Sequence, residues 1–111
     1  MAKRNRRVVC KDGYSISIQA HDGAYCEPRQ DGAECYSLVE LGYPNQSDSL
    51  IDHLAETPDK PKKTIYGYVD VNTVYLLLTK HKGIIEGDVP AGVPVYAGSW
   101  DTCVKTDKKC P

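Results

Sequence analysis

The chain contains no phenylalanine, one methionine and one tryptophan, so its core must rely on aliphatic side chains and on eight tyrosines. A buried tyrosine needs a hydrogen-bond partner for its hydroxyl group. No apolar run approaches the roughly 20 residues of a membrane-spanning helix. The basic start "MAKRNRRVV" is followed by the polar "CKDGYSISIQ" and not by the apolar segment of a signal peptide. We therefore expect the protein to stay in the cytoplasm of the cell that makes it.

Motifs of common enzyme chemistry are also missing. There is no Walker loop, no dinucleotide-binding glycine pattern and no nucleophile elbow. His21, Cys26 and Cys35 carry metal-binding groups, but the paired spacing of zinc sites is absent. We therefore expect neither an enzyme nor a protein with a metal or another cofactor. A thiol-dependent enzyme is a further hypothesis, and it requires a cysteine with a depressed pKa.

Cysteine is present in an odd number, five, and a reducing cytoplasm disfavours disulfides. We therefore expect mostly free thiols with a structural role. Cys103 and Cys110, in "CVKTDKKCP", are the pair that we expect to bridge if the protein is oxidised.

Charge is unevenly distributed, although the net charge is −1. Residues 1–11 carry five cations and no acid, whereas residues 12–59 carry ten acids and one cation. Residues 60–111 carry eight cations and five acids. The basic head is suited to phosphate contacts and is equally typical of a solvated arm. The acidic middle of the chain disfavours binding to duplex DNA.

Polar and apolar residues alternate in the first half of the chain, which predicts strands. "RRVVC" and "YSISIQA" flank the turn pair Asp12-Gly13, so they should form a hairpin. The alternation resumes in "CYSLVELGYP", where Pro44 ends the strand. "TIYGYV", residues 64–69, is rich in residues that favour strands.

Two helices are predicted. The first covers "SDSLIDHLAETP", with Ser47 as its cap and Pro58 as its stop. The second begins after Asp70 as N-cap and ends at Gly83 as the C′ residue. Its apolar stripe consists of Val71, Val74, Tyr75 and Leu78.

These elements predict a small α+β domain, an antiparallel sheet of about four or five strands with two helices packed on one face. Residues 1–83 should form the compact core with its basic N-terminal arm. Residues 84–111 should form a C-terminal extension packed on the same domain, with an edge strand at Val93–Ala97 and Trp100 as an anchor. An edge strand offers a surface for self-pairing, which is compatible with a homodimer.

Tyrosines and lysines lie close together in residues 64–83, a combination that also occurs in single-strand binding platforms. Periodicity favours a core instead, because Tyr75 lies on the apolar stripe and the lysines of the last turn complement the helix dipole. Tyr66 and Tyr68 share one face of the predicted strand, so both should be buried or both exposed.

The loop "GAYCEPRQDG" is the most suggestive surface element, because loops on a scaffold tend to carry binding residues. Arg29 is the single cation of the acidic middle region, and a salt bridge to Glu27 or Asp31 is its alternative role. Our candidate ligand-binding or partner-binding residues are Tyr25, Arg29, Tyr66 and Tyr68.

"RRVVCKDGYSISIQA", "YCEPR", "VELGYP" and "IYGYVDV" before a helix that ends in "KHKG" resemble a family of small uncharacterised proteins of tailed bacteriophages. The resemblance covers roughly residues 4–83. No activity comes with the family, so no site residue is carried over.

The resemblance implies a phage-encoded binding protein of the host cytoplasm with a role in counter-defence or host takeover. Its expected partners are a host defence protein or a small signalling nucleotide, and no membrane is expected. The alternative is a nucleic-acid-associated accessory protein that uses Arg4, Arg6 and Arg7 of the arm together with "KPKK".

Overall fold

The computed structural model describes residues 5–94 of the chain. Within that range it has one antiparallel sheet of five strands in the order β4-β3-β2-β1-β5 and one α-helix. The elements are β1 (Val8–Cys10), β2 (Ser15–Gln19), β3 (Leu38–Gly42), a 3-10 turn (Asp52–Leu54), β4 (Ile65–Asp70), α1 (Val71–Lys80) and β5 (Ile84–Glu86). The predicted α+β class and the antiparallel sheet are confirmed.

The predicted N-terminal hairpin is formed by β1 and β2, with Val8 opposite Ile16. Its turn is closed by two backbone hydrogen bonds: the N–H of Cys10 donates to Tyr14 (2.7 Å), and the N–H of Gly13 donates to Cys10 (2.9 Å). Gly13 has φ +99°, a conformation that costs little without a Cβ atom. Turn chemistry therefore sets the register of this hairpin.

Helix α1 carries the chain from β4 at one edge of the sheet to β5, which pairs with β1 at the other edge. Asp70 caps the helix as predicted, because its Oδ1 accepts the N–H of Asn72 at 2.7 Å. Left-handed backbone begins at Lys82 (φ +75°), one residue before the predicted Gly83 (φ +87°). Capping signals therefore locate both ends of the helix to within one residue or so.

The core lies on one face of the sheet, beneath α1. The inward residues of β1 and β2 alternate as the sequence pattern predicts, and Val74, Leu77 and Leu78 of α1 join the same cluster. The largest fully buried side chains are Tyr14, Tyr66, Ile16, Ile18, Leu41, Ile51, Leu77, Leu78, Val8, Val39, Val69 and Val74. Tyr14 and Tyr66 therefore supply the large aromatic side chains of the core in a chain that has no phenylalanine.

The helix predicted over Ser47–Pro58 is wrong, since only the 3-10 turn Asp52–Leu54 forms there. Ala55 is already extended (φ −63°, ψ 132°) and bridges to Tyr66 of β4. A helix of this length has a costly nucleus and few hydrogen bonds to offset it. The bridge between Ala55 and the edge strand β4 forms in place of the helix. One α-helix, and not the two that were predicted, therefore covers the core in the described part of the chain.

Strand β5 completes the sheet, and residues 87–94 follow it outside any strand. β5 pairs with β1, and the guanidinium group of Arg6 forms a salt bridge to Asp88 (3.1 Å). Gly87 has φ +105°, and a Cβ atom there would collide with the backbone of Arg7. The strand predicted at Val93–Ala97 lies largely outside the described residues, and Val93 and Pro94 are not in a strand. Trp100, Cys103 and Cys110 also lie outside the described residues.

Two of the described cysteines agree with the expectation of free thiols and one does not. Cys10 and Cys26 are free and buried. Cys35 is disulfide-bonded, so the prediction is wrong for this residue.

Candidate binding surface

Three of the predicted site residues meet on the surface, and we call Tyr25, Arg29 and Tyr68 the aromatic patch. The rings of Tyr25 and Tyr68 are stacked, with centroids 5.8 Å apart and planes inclined by 26°. The guanidinium carbon of Arg29 lies 5.4 Å from the centroid of the Tyr25 ring, within cation–π range. Tyr25 is 38% and Tyr68 49% exposed, so the stack faces solvent.

Backbone hydrogen bonds hold the patch together. The N–H of Tyr68 in β4 donates to the carbonyl oxygen of Tyr25 at 2.9 Å. The N–H of Tyr25 donates to the carboxylate of Glu40 in β3 at 3.0 Å. Arg29 donates its Nε–H to the carbonyl oxygen of Asp22 at 3.2 Å. The loop between β2 and β3 is thus fixed to the sheet at the point where the two rings meet.

A β-bulge in β4 places Tyr68 outside. Val39 pairs with Val69 and Leu41 with Tyr66, so Gly67 and Tyr68 together stand opposite a single residue of β3. Tyr68 has φ +54°, an uncommon conformation for a bulky residue. The bulge reverses the alternation of the strand after Tyr66.

Tyr66 is separated from the patch by this bulge. It is fully buried, and its hydroxyl group donates to the carbonyl oxygen of Pro61 at 2.5 Å. The prediction that Tyr66 and Tyr68 are both buried or both exposed is therefore wrong, because it assumed a regular strand. A side chain that solvent does not reach offers no surface to a ligand, and we leave Tyr66 out of the patch.

Gly67 allows the close approach of the two tyrosines. A Cβ atom at this position would lie 3.1 Å from Cβ of Tyr25 and 3.3 Å from its Cδ2. Such distances are tighter than ordinary van der Waals contact, so any larger residue would push the Tyr25 ring outward. The sequence signal for this role is the glycine inside a strand pattern.

The cations of the N-terminal arm that the structure describes have intramolecular partners. Arg6 makes a two-pronged contact with Asp88, at 3.1 and 3.3 Å. Arg7 donates to the side chain and the carbonyl oxygen of Ser15 and to the carbonyl oxygen of Tyr43. Arg4 lies outside the described residues. A phosphate group would have to compete with these contacts for Arg6 and Arg7.

Possible metal ligands converge in one place within residues 5–94. Atoms of His21, Asp22 and Asp31 lie within 4.8 Å of one another, and His21 and Asp31 also line a cleft of about 250 Å³. Internal hydrogen bonds already use this group: Nδ1 of His21 accepts the N–H of Gly23, and Asp31 accepts the N–H of Asp22. The arrangement is a hydrogen-bonded turn, and Cys26 and Cys35 are not part of it.

The two described free thiols have raised pKa values, which disfavours the nucleophilic thiolate form. Burial, with the nearby Asp12 carboxylate, raises the pKa of Cys10 to about 12. Burial also raises the pKa of Cys26, although a backbone hydrogen bond and Arg29 oppose the shift. A reactive cysteine needs the opposite shift, because the thiolate is the nucleophile.

An ionic cluster with a buried centre lies at the C-terminal end of α1, and we call Asp12, Tyr14, Asp48, Lys80 and His81 the His81 cluster. The two ring nitrogens of His81 lie 2.7 Å from carboxylate oxygens, Nδ1 from Asp12 and Nε2 from Asp48. Lys80 donates to Asp48 at 3.0 Å. The ring of Tyr14 stacks on His81 with centroids 3.9 Å apart and planes inclined by 7°.

The carboxylates of the His81 cluster are stabilised in their charged forms. Burial by itself would raise the pKa of Asp48, but the N–H of Leu50 and the side chains of His81 and Lys80 lower it below the ordinary value. The same balance lowers the pKa of Asp12, where the N–H of Tyr14 and the His81 side chain outweigh burial. Hydrogen bonds to the charged form therefore prevail over desolvation.

Sequence reasoning missed the His81 cluster. Its members come from the first turn, from the segment before the 3-10 turn and from the end of α1, which are far apart in the chain. No spacing signal connects such residues. His81 is 6% and Asp48 5% exposed, so the centre of the cluster is enclosed, whereas the Lys80 side chain at its edge is 46% exposed.

In the part of the chain that the structure describes, no helix is long and apolar enough to cross a membrane. Comparisons with protein-family models, with curated protein sequences and with solved structures found no match to this chain.

Proposed function

We propose that this chain is a small bacteriophage protein that acts in the host cytoplasm, against host defence or in host takeover, by binding a host defence protein. The observation that carries the proposal is the exposed stack of Tyr25 and Tyr68 with Arg29 against it. The phage origin is supported by the sequence resemblance over roughly residues 4–83. The mode of action is binding and not catalysis.

Tyrosine and arginine are, with tryptophan, the residue types enriched among the side chains that dominate the energy of protein interfaces. A tyrosine has few rotatable bonds, and the hydrogen bonds from Tyr68 to Tyr25 and from Tyr25 to Glu40 already order both residues. Little further ordering is needed when a partner covers the rings, which favours affinity. The aromatic patch is therefore suited to be the centre of an interface.

The surroundings of the patch indicate the charge of the partner. Several exposed acids belong to the same loop, and they are Asp22, Glu27, Asp31 and Glu34. Complementary charge speeds encounter and orients a partner at the rim of an interface. We expect a partner surface with an apolar pocket for the two rings and a basic rim around it.

The proposal is tested by complementing a gene-deleted phage on bacterial hosts that each carry one defence system. Tyr43 provides a matched control for Tyr68, because it is 54% exposed and has φ +51°. We expect the wild-type protein and the Tyr43→Asn variant to restore plating on at least one defence-bearing host. The Tyr68→Asn variant should not restore it, although it remains folded by circular dichroism.

Equal plating of the deletion phage on every host would contradict the counter-defence role. Equal rescue by Tyr68→Asn and Tyr43→Asn would instead remove the aromatic patch from the mechanism. Asparagine tolerates left-handed backbone, so neither substitution adds strain and the comparison reports on the ring.

Sequestering a small signalling nucleotide is the other mode of action that the resemblance implies. The aromatic patch does not favour it, because the patch has a single cation and the loop that carries Tyr25 and Arg29 has several exposed acids. The nucleic-acid alternative predicts binding that weakens steeply with salt and disappears when residues 1–7 are deleted. The contacts of Arg6 with Asp88 and of Arg7 with Ser15 oppose it.

A further inference from the structure

A second surface feature is a groove of about 540 Å³ between two loops. One loop precedes the 3-10 turn, and the other leads into β4. We call it the lysine groove, and the described residues that line it are Gln46, Ser47, Lys60, Pro61, Lys62 and Lys63. None of these residues belongs to the aromatic patch or to the His81 cluster.

The lining of the groove is positively charged. Among residues 5–94, the lining has three lysines and no acid. Within residues 5–94, none of these ammonium groups takes part in an ion pair. The acids of the same loop, Glu56 and Asp59, do not line the groove. Three cations that face one concave surface without counter-charges favour an anionic ligand.

Hydrogen bonds fix the loop that carries the lysines. The N–H of Glu56 donates to the carbonyl oxygen of Ile65 at 3.0 Å. The N–H of Thr57 donates to the hydroxyl oxygen of Thr64 at 2.8 Å. The buried Tyr66 hydroxyl group donates to the carbonyl oxygen of Pro61. The backbone that carries the cations is thus anchored to β4, which lowers the cost of ordering it around a ligand.

We propose that the lysine groove binds a small ligand that carries two or more phosphate groups. Lysine ammonium groups act as point charges that donate to phosphate oxygens. Ser47 and Gln46 supply neutral donors and acceptors for further polar atoms. Pro61 and the lysine stems offer apolar area to the rest of the ligand. The volume is within the range of about 300–1,000 Å³ that small-molecule sites have.

This site goes beyond the proposed function and does not depend on it. The groove and the aromatic patch share no residue, so one can bind while the other does not. The Tyr68→Asn variant, which tests the patch, should bind a phosphate ligand as well as the wild-type protein does.

The test is isothermal titration of the full chain with inorganic pyrophosphate and with ADP, against sulfate as a general anion. The site variant is Lys62→Gln/Lys63→Gln, and the matched control is Lys11→Gln/Lys82→Gln, which removes two exposed cations elsewhere. We expect saturable binding of pyrophosphate or ADP in a 1:1 ratio. The site variant should bind at least about tenfold more weakly, because two charge-assisted contacts are lost.

The probes also distinguish the source of the recognition. Tighter binding of ADP than of pyrophosphate supports a nucleotide whose base or sugar contacts Pro61, whereas equal binding supports recognition of the phosphates alone. The proposal is overturned if neither probe saturates at millimolar concentration, if sulfate binds equally well, or if the control variant weakens binding as much as the site variant. The amide signals of Gln46, Ser47, Lys60, Lys62 and Lys63 should shift in NMR spectra, and that of Tyr25 should not.

Discussion

The His81 cluster and the aromatic patch both combine tyrosine with a cationic side chain, yet they differ in burial. In the cluster His81 lies 3.9 Å from the Tyr14 ring and is 6% exposed. In the patch the Tyr25 and Tyr68 rings are 5.8 Å apart and open to solvent. Burial makes charge interactions strong and their loss costly, whereas solvent screens them at the surface. The burial of His81 and Asp48 therefore favours a role in stability for the cluster, whereas the role that we propose for the exposed patch is binding.

The largest effect that this comparison predicts concerns Asp48, which is 5% exposed and contacts both His81 and Lys80. The Asp48→Asn variant should lower the free energy of unfolding by about 3 kcal/mol, because an amide has one acceptor oxygen and cannot keep the contacts that both carboxylate oxygens make with Lys80 and His81. Urea unfolding measures this value. The Asp59→Asn variant, at an exposed carboxylate, should change it by less than about 0.5 kcal/mol. Equal effects of the two substitutions would remove the distinction between enclosed and open charges.

Acid should weaken the His81 cluster in a defined pH range. Asp12 and Asp48 have lowered pKa values in the folded protein, so the unfolded chain binds protons more readily. Their stabilisation is complete above the unfolded pKa of about 3.9 and is lost as the pH falls through the folded pKa. The difference in unfolding free energy between wild type and Asp48→Asn should therefore shrink on going from about pH 6 to pH 2. A difference that stays constant over this range would contradict the cluster's role.

The smallest effect is expected at the aromatic patch. The Gly67→Ala variant should lose about 1 kcal/mol of stability, because its Cβ atom would lie 3.1 Å from Cβ of Tyr25. The near-ultraviolet circular dichroism of the tyrosines should change as the stack is displaced. Gly42→Ala is the matched control, since a Cβ atom there meets Ile65 at an ordinary 3.5 Å. If both variants have the same spectrum and stability, Gly67 does not position the stack.

Local patterns predicted the elements whose information is local. The Asp12-Gly13 turn and the alternation beside it predicted the β1–β2 hairpin, and Asp70 predicted the start of α1. The same reasoning failed over Ser47–Pro58. A cap and an apolar face are present there, but pairing of Ala55 with Tyr66 and the contacts of Asp48 replace the helix. A short helix has too little intrinsic stability to resist such tertiary contacts.

The candidate site was predicted in part for the same reason. Tyr25 and Arg29 come from one loop, and their proximity is a local property of "GAYCEPRQDG". Tyr68 was also named, but the bulge that exposes it and buries Tyr66 depends on how β4 pairs with β3. β5 was missed because three residues carry too weak a pattern to be recognised as a strand. The lysine groove could not be predicted, because it forms only where the loops with residues 46–47 and 60–63 meet in the folded protein.

Short-range sequence patterns were sufficient to predict the α+β class, the first hairpin, the position of α1 and the loop that carries Tyr25 and Arg29. Those features follow from turn chemistry, periodicity and capping, which act over a few neighbouring residues. Tertiary structure decided the single helix, the burial of Tyr66, the His81 cluster and the lysine groove. These depend on contacts between segments far apart in the chain, and their energies come from burial and charge pairing that no local pattern encodes.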